Sequence, residues 1–248
     1  MEERIKHFNQ LIADSKSIVF FGGAGVSTES GIPDFRSKDG LYNTPDVRFD
    51  KYDPEYLLSR ECMLRNPEVF FEYYRQKLDC RNIEPNITHK ILAEMERNGK
   101  MDMVITQNID GLHQKAGSQK VAEIHGTTKR NLCRKCSREI DGDFIFTNTE
   151  PIPHCPYCGG IVRPRVVLYG EELPNAATDA ACNAIAEADL IIIGGTSLKV
   201  YPAASFIPNW KKWAAKMVII NREHTSMDKE CDIIFHEGIG EVFKQLKF

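Results

Sequence analysis

Residues 22–36 have the sequence Gly-Gly-Ala-Gly-Val-Ser-Thr-Glu-Ser-Gly-Ile-Pro-Asp-Phe-Arg and follow the apolar run at 18–21. Such a run predicts a strand that is buried on both faces of a parallel sheet. Glycines directly after the strand allow a tight turn and a close approach of the backbone to a ligand. The N–H groups of a following helix would then face a phosphate. The stretch is typical of a nucleotide-binding loop, although an ordinary strand-to-helix turn also fits it.

Two details distinguish this loop from the dinucleotide fingerprint of hydride-transfer enzymes. That fingerprint has a third glycine three residues after the second, and Thr28 occupies the position here. The loop also continues into Ile-Pro-Asp-Phe-Arg at 32–36, which places an aromatic ring, a carboxylate and a guanidinium beside the predicted phosphate site. A hydride-transfer dehydrogenase is therefore disfavoured.

Apolar runs alternate with helical patterns along the whole chain. Further strands are predicted at 103–106, 121–124, 166–171, 190–193, 217–220 and 232–235, and helices at 2–14, 67–78, 88–98, 175–189, 203–215 and 240–246. Residues 37–66 mix glycine, proline, charges and aromatics, and predict short helices and a mobile loop over a site. This alternation indicates an α/β protein with a doubly wound parallel sheet.

Composition excludes several function classes. The 248 residues are 42% hydrophobic and 27% charged, and the net charge of −3 gives no overall attraction to nucleic acid or anionic membranes. No apolar run approaches the length of a bilayer span, and the first residues lack the apolar region of a signal peptide. We therefore expect a cytoplasmic protein with no membrane partner and no specific nucleic-acid partner.

Four of the eight cysteines form two Cys-x2-Cys pairs, Cys133/Cys136 and Cys155/Cys158. In a reducing compartment, two such pairs are better explained as a four-cysteine zinc ribbon than as disulfides. Four thiolates leave no open position for water, so the zinc is expected to be structural. Basic residues at 129–138 leave a nucleic-acid-binding module as an alternative, although a solvated charged face is the better explanation in a chain that is acidic overall.

Polar residues also follow three other predicted strands. They are Gln-Asn-Ile-Asp-Gly-Leu-His at 107–113, His125-Gly126, and Gly-Gly-Thr-Ser at 194–197. Ligands of open parallel sheets bind outside the carboxyl ends of the strands, so these segments are candidates for ligand contacts. Each segment alone also fits helix capping or a structural histidine.

Together, the motifs at 23–36, 106–113, 125–126 and 195–204 and the two cysteine pairs resemble the sirtuin family of NAD-dependent protein deacylases, over about residues 1–246. The resemblance implies a Rossmann-like parallel sheet with helices on both faces plus a small zinc-binding insert domain. The NAD-binding domain would comprise 1–128 and 166–248, with a helical and loop insert within 37–90, and the zinc ribbon 129–165. An acyl-lysine peptide would bind in the cleft between them.

The resemblance also implies a role for each matching residue. The NAD pyrophosphate would contact Ala24, Gly25, Thr28 and Arg36, and the adenosine half would contact Thr196, Ser197, Asn221 and Ile239. The nicotinamide ring would contact Ile32, Phe35, Asn108, Ile109 and Asp110, and the nicotinamide ribose would contact Gln107. The substrate peptide would be flanked, as an added strand, by Val167, Leu168, Gly170, Glu171, Leu198 and Val200.

The chemistry of such an enzyme suits these residue types. Cleavage of nicotinamide from ribose develops oxocarbenium character, and no carboxylate nucleophile is needed if the acyl oxygen attacks. The expected catalytic residues are His125 and Asn108. We expect His125 to act as the base that deprotonates a ribose hydroxyl. Phe71 and Tyr74 align with the carboxylate-binding pair of desuccinylating relatives and carry no charge, which favours acetyl over succinyl. A mono-ADP-ribosyltransferase or NAD glycohydrolase stays an alternative.

Overall fold

Nine strands form two sheets in the structure, a computed structural model that describes residues 1–248. In chain order they are β1 (Ile18–Gly22), β2 (Met103–Thr106), β3 (Val121–Glu123), β4 (Gly126–Cys133), β5 (Glu139–Asp141), β6 (Val162–Val166), β7 (Leu190–Gly194), β8 (Lys216–Ile220) and β9 (Ile233–Phe235).

The main sheet has six parallel strands in the order β3-β2-β1-β7-β8-β9. The chain therefore builds outward from β1 to β3 and then returns to the other side of β1 at β7. This is the strand order of the classic dinucleotide-binding fold, in which ligands bind where the order reverses. The predicted doubly wound α/β fold is confirmed.

Ten helices accompany the sheets. They are α1 (Glu2–Asp14), α2 (Pro54–Leu57), α3 (Arg60–Arg65), α4 (Pro67–Lys77), α5 (Ile87–Arg97), α6 (Leu112–Ala116), α7 (Asp143–Thr147), α8 (Asn175–Glu187), α9 (Phe206–Trp210) and α10 (Ile239–Phe243). None of them is long and apolar enough to cross a membrane.

Both faces of the main sheet are covered. Phe20 of β1 packs with α1, α5 and α10 on one face, while its neighbours Val19 and Phe21 pack with α8 on the other. Alternate residues of a strand point to opposite faces, so a strand that is buried on both sides must be apolar throughout. This explains why β1 could be located from an uninterrupted apolar run.

The second sheet is antiparallel, in the order β5-β4-β6. It packs on α3 and α4, because Cys133, Ile145 and Val162 of the insert share a hydrophobic cluster with Met63 and Phe70 of those helices. The cysteine-bearing segment thus forms a separate sheet supported by the helices at 54–77. The predicted limits of 129 and 165 stay a prediction.

Three sequence-based expectations about local structure were wrong. The strand predicted at 166–171 is instead β6, which ends at Val166 because it pairs with β4 in the small sheet; Gly170, with a φ of +84°, then turns the chain. The helix predicted at 203–215 consists of a 3-10 turn and α9, and it ends at Trp210. Three residues further on, the Trp213 side chain is 98% exposed, so no core packing extends the helix to 215. The glycine loop leads into two 3-10 turns rather than an α-helix.

Candidate active site

A cavity of about 720 Å³ lies at the carboxyl ends of the main-sheet strands. Its walls are the loops that follow β1, β2, β3, β7 and β8, together with residues 166–171. The loops after β1 and β7 meet at its centre, where the strand order reverses, as expected for a ligand site in such a sheet. Its volume lies within the range of small-molecule and cofactor sites.

The floor of this cavity is a contact between two glycine loops. The Gly25 amide donates to the Gly195 carbonyl at 2.8 Å, and the Gly23 amide donates to the Gly194 carbonyl at 3.2 Å. A Cβ atom on Gly25 would lie 2.8 Å from the Gly195 Cα, which is too close for any side chain. Gly195 also has a φ of +59°, in the left-handed region that favours glycine. The glycines leave an open backbone cradle, which fits the close approach of a dinucleotide pyrophosphate.

The cavity brings together nearly all residues that were singled out in the sequence. Leu198 is the exception, since it is buried and does not line the cavity. Its φ of +53° is uncommon for a non-glycine residue, and its amide donates to Thr196 Oγ1 at 3.3 Å. The lining includes Ala24, Gly25, Thr28, Ile32, Phe35, Arg36, Gln107, Asn108, Ile109, Asp110, His125, Val167, Leu168, Gly170, Glu171, Thr196, Ser197, Val200, Asn221 and Ile239.

Ser27 joins the two polar residues that follow β2. Its hydroxyl donates to Asp110 Oδ2 at 2.7 Å and accepts from Asn108 Nδ2 at 3.0 Å. The other carboxylate oxygen of Asp110 accepts from the Leu112 amide at 2.9 Å. All three side chains are at least 91% buried, so these bonds fix their orientation away from competing water.

His125 follows β3 and is anchored through one ring nitrogen. Nδ1 lies 3.0 Å from the carbonyl oxygen of Gln107. A carbonyl oxygen only accepts, so Nδ1 carries the proton and Nε2 keeps its lone pair. Burial lowers the pKa of His125; the Gln107 bond partly opposes this, and the positive charge of Arg36 lowers it further. The ring is therefore neutral at pH 7, and Nε2 can accept a proton.

The backbone around His125 fixes its place between the two sheets. Its carbonyl accepts from the Val167 amide at 2.8 Å. The next residue, Gly126, has a φ of +75°, and a Cβ atom there would collide with the Arg165 carbonyl. The histidine is thus held where the main sheet gives way to the insert, on the border between the predicted NAD and peptide sites.

Arg36 links the loop after β1 to the opposite wall of the cavity. Its Nη2 donates to Glu55 Oε1 at 3.0 Å and to the Tyr169 hydroxyl at 2.9 Å. The hydroxyls of Tyr42 and Tyr169 are also hydrogen-bonded, at 2.9 Å. Residues 36–42 are thereby attached to the segment that was predicted to contact substrate.

Comparisons with known proteins agree with this geometry. The family model described as "Sir2 family" matches residues 23–202. The chain belongs to the Sir2 family. Proteins named NAD-dependent protein deacetylase from Clostridium acetobutylicum and Clostridium perfringens are 46% and 47% identical to it, over 98% of this chain and 97% and 98% of theirs. A solved structure described as "Sir2-p53 peptide-NAD+" is similar with a TM-score of 0.85 and 33% identity, over 97% of this chain and 96% of the other.

The four cysteines of this Sir2 protein form a compact cluster on the insert. Their Sγ atoms all lie within 4.8 Å of one another, with Cys133 to Cys158 at 3.4 Å and Cys136 to Cys155 at 3.9 Å. Tetrahedral zinc with Zn–S bonds of about 2.3 Å requires sulfur atoms roughly 3.8 Å apart. The donor set and its spacing therefore fit one structural zinc ion, which these four thiolates would hold.

The segment at 166–171 owes its shape to a partly buried ion pair between Arg163 and Glu171. Arg163 Nη2 donates to Glu171 Oε2 at 2.9 Å, and the same oxygen accepts from the Leu168 amide at 3.0 Å. Glu171 was predicted as a peptide contact; it lines the cavity but also organises the peptide-flanking backbone around Leu168. Burial opposes ionisation of Glu171, but the bonds from Arg163 and Leu168 outweigh it and lower the pKa of the carboxyl.

The residues used to infer acyl preference are not in the cleft. Phe71 and Tyr74 are fully buried in the cluster shared by α4 and the insert, where Tyr74 stacks on Phe146 at 5.3 Å. Neither lines the cavity, so the structure does not bring this pair to the proposed acyl site, and the preference for acetyl over succinyl stays a prediction.

Three residues behind the predicted nicotinamide wall were not singled out from the sequence. Ser27 is one, although it lies within the glycine loop that was quoted first. His89 is another, with Nε2 3.5 Å from Ser27 Oγ and its ring centre 4.7 Å from that of His113. Burial lowers the pKa of both histidines, so they are neutral. His113 belongs to the motif at 107–113, but no pattern in the sequence links it to His89 in α5.

Proposed function

We propose that this Sir2 protein is an NAD-dependent protein-lysine deacetylase. It would transfer the acetyl group of acetyl-lysine to ADP-ribose and release nicotinamide and O-acetyl-ADP-ribose. Support comes from relatives that carry this name at 46–47% identity over nearly the whole chain and from the match to a structure described as "Sir2 bound to acetylated peptide". NAD supplies the acceptor of the acetyl group.

The observation that carries the proposal is the state of His125. It has a fixed tautomer and a lowered pKa, and it lines the same cavity as Ser27, Asn108 and Asp110. A base for a ribose hydroxyl needs an unprotonated nitrogen at neutral pH, and Nε2 provides it. In this proposal, Nε2 accepts the proton of a ribose hydroxyl, and the oxygen of that hydroxyl then attacks the acyl carbon.

The remaining residues would bind and orient the two substrates. Ile32 and Phe35 give the nicotinamide ring an apolar wall, and Asp110, held by Ser27, presents its carboxylate to the carboxamide. Gln107 donates to Thr196 Oγ1 at 2.9 Å, which connects the proposed ribose and adenosine contacts. The pyrophosphate would lie on the glycine cradle with Ala24, Gly25, Thr28 and Arg36, and the adenosine half on Thr196, Ser197, Asn221 and Ile239.

The peptide would lie between the insert and the loop after β7. Val167, Leu168, Gly170 and Glu171 would form one side of this strand-like site and Val200 the other. Leu198 would act from below, through the conformation of its loop. A cytoplasmic location also belongs to this proposal, since all eight cysteines are free and disulfides are typical of oxidising compartments.

The test is product analysis by mass spectrometry after incubation with NAD and an acetyl-lysine peptide. Nicotinamide, deacetylated peptide and O-acetyl-ADP-ribose in equal amounts would support the proposal. Nicotinamide release with the acetyl group still on the peptide would instead indicate an NAD glycohydrolase or ADP-ribosyltransferase. No consumption of NAD would refute the proposal.

A further inference from the structure

A second group of metal-ligating side chains lies outside the cysteine cluster. It consists of His224, Asp228 and His236, which we call the His-Asp-His cluster, and its ligand atoms all lie within 4.8 Å of one another. The first two residues belong to the connection between β8 and β9, and His236 directly follows β9. The cluster thus lies at the carboxyl ends of two adjacent parallel strands.

The spacing within the cluster matches a coordination sphere. His224 Nδ1 lies 2.8 Å from Asp228 Oδ2, and the rings of His224 and His236 are 4.5 Å apart. Adjacent ligands of a tetrahedral zinc ion, each about 2.1 Å from the metal, are separated by roughly 3.4 Å, which lies between the 2.8 Å of this pair and the 4.8 Å limit of the cluster. A carboxylate only accepts, so His224 Nδ1 donates to Asp228 Oδ2, and a cation bound to both atoms would replace this hydrogen bond.

Supporting hydrogen bonds already orient two of the three ligands. His236 Nδ1 lies 2.9 Å from the Asn221 carbonyl, so Nδ1 carries the proton and Nε2 keeps a free lone pair. Asp228 Oδ1 accepts from both the amide and the hydroxyl of Thr225, at 3.0 and 2.6 Å, which leaves Oδ2 for the cluster. Metal-binding histidines and carboxylates typically have such partners, because these fix the ring and the carboxylate before the metal arrives.

The cluster is open to solvent on one side. The Asp228 side chain is 16% exposed whereas that of His224 is 87% exposed, so a cation could enter from solvent past the His224 ring.

We propose that the His-Asp-His cluster is a second metal site, for a divalent ion of the borderline class such as Zn²⁺. Two imidazoles and one carboxylate favour zinc and its transition-metal neighbours over Mg²⁺ or Ca²⁺, which prefer oxygen ligands. Three protein ligands leave at least one position for water, unlike the closed cysteine cluster.

The His-Asp-His cluster lies next to residues that line the cavity. Residues 221–223 and Glu237 line the cavity, and they directly flank His224 and His236 along the chain. A metal bound by both segments would connect the loop after β8 to the end of β9. It would therefore fix the part of the cavity wall that carries Asn221.

Isothermal titration calorimetry with Zn²⁺ tests this site directly. The protein is prepared without an affinity tag and with one zinc per chain on the cysteine cluster, and is compared with His224→Ala, His236→Ala and the control His7→Ala. His7 is a surface histidine on α1, remote in sequence from the cluster. The expected result is one further zinc per chain in wild type and His7→Ala, with affinity weakened on the order of 100-fold or more in the two cluster variants.

Metal content and circular dichroism of each variant, before titration, show whether the fold and the cysteine-bound zinc are intact. Both cluster histidines are exposed, so their removal leaves the core unchanged. The proposal is overturned if wild type binds no second zinc, or if either cluster variant binds it with wild-type affinity. Neither outcome depends on deacetylase activity, so the result is independent of the proposed function.

Discussion

Replacing Ser27 by alanine removes the hydroxyl that connects Asn108 to Asp110. The substitution breaks a charge-assisted bond to Asp110 Oδ2 at 2.7 Å and a neutral bond from Asn108 Nδ2 at 3.0 Å. The first contributes about 1.5–3 kcal/mol and the second about 0.5–1.5 kcal/mol. Because Asp110 keeps the bond from the Leu112 amide, we expect a total loss of about 2–4 kcal/mol in unfolding free energy.

Differential scanning calorimetry and steady-state kinetics measure the two consequences. For a chain of this size, that loss lowers Tm by roughly 5–15 °C. With Asn108 and Asp110 no longer fixed, we also expect kcat/KM for NAD to fall by about 10- to 100-fold, since binding geometry is lost together with stability.

Ser30→Ala is the matched control from the same loop. The Ser30 hydroxyl is buried but has no hydrogen-bond partner, so its removal costs no bond. We expect its Tm and kinetics to stay near wild type. The reasoning is refuted if Ser27→Ala behaves like Ser30→Ala in both assays.

Three further predictions concern pH, substrate binding and metal. Because burial lowers the pKa of His125, kcat/KM should stay constant near pH 7 and fall only below pH about 6.5, where the base becomes protonated. A pH–rate profile in which kcat/KM already falls above pH about 6.5 would contradict this prediction. Glu171→Gln weakens the ion pair with Arg163 and the hydrogen bond from the Leu168 amide. The KM for peptide should therefore rise roughly 5-fold, which corresponds to about 1 kcal/mol of binding free energy, while the KM for NAD stays unchanged. An equal rise in both KM values would contradict the role of Glu171 in shaping the peptide site. Cys136→Ser leaves three thiolates, so the zinc content measured by mass spectrometry should fall well below one per chain; full zinc occupancy would exclude the four-cysteine site.

The features that sequence predicted well are those set by local chemistry. The apolar run at β1 and the glycines after it specify a strand and a loop without reference to distant residues. The two Cys-x2-Cys pairs are also local features, because the two cysteines of each pair lie close together along the chain. Because all main-sheet strands are parallel, their carboxyl ends share one edge, which is why separate motifs along the chain converge on one cavity.

The features that sequence missed depend on contacts between distant segments. Pairing with β4 placed β6 in the small sheet, and no pattern within 162–171 reveals that partner. Phe71 and Tyr74 fill a core that the insert completes, since they share a cluster with Ile145 and Val162 and Tyr74 stacks on Phe146. The bridge through Ser27 joins positions 81 and 83 residues apart along the chain, which only the folded structure shows.

The most direct test of the account compares product formation by wild type and His125→Ala, with NAD and an acetyl-lysine peptide. His125 lies on the cavity wall and outside the cysteine cluster, so the variant should keep its fold and its zinc. Loss of the base should slow formation of deacetylated peptide and O-acetyl-ADP-ribose by roughly 10²- to 10⁴-fold. Deacetylation by the variant at a rate close to wild type would contradict the assignment of His125 as the catalytic base.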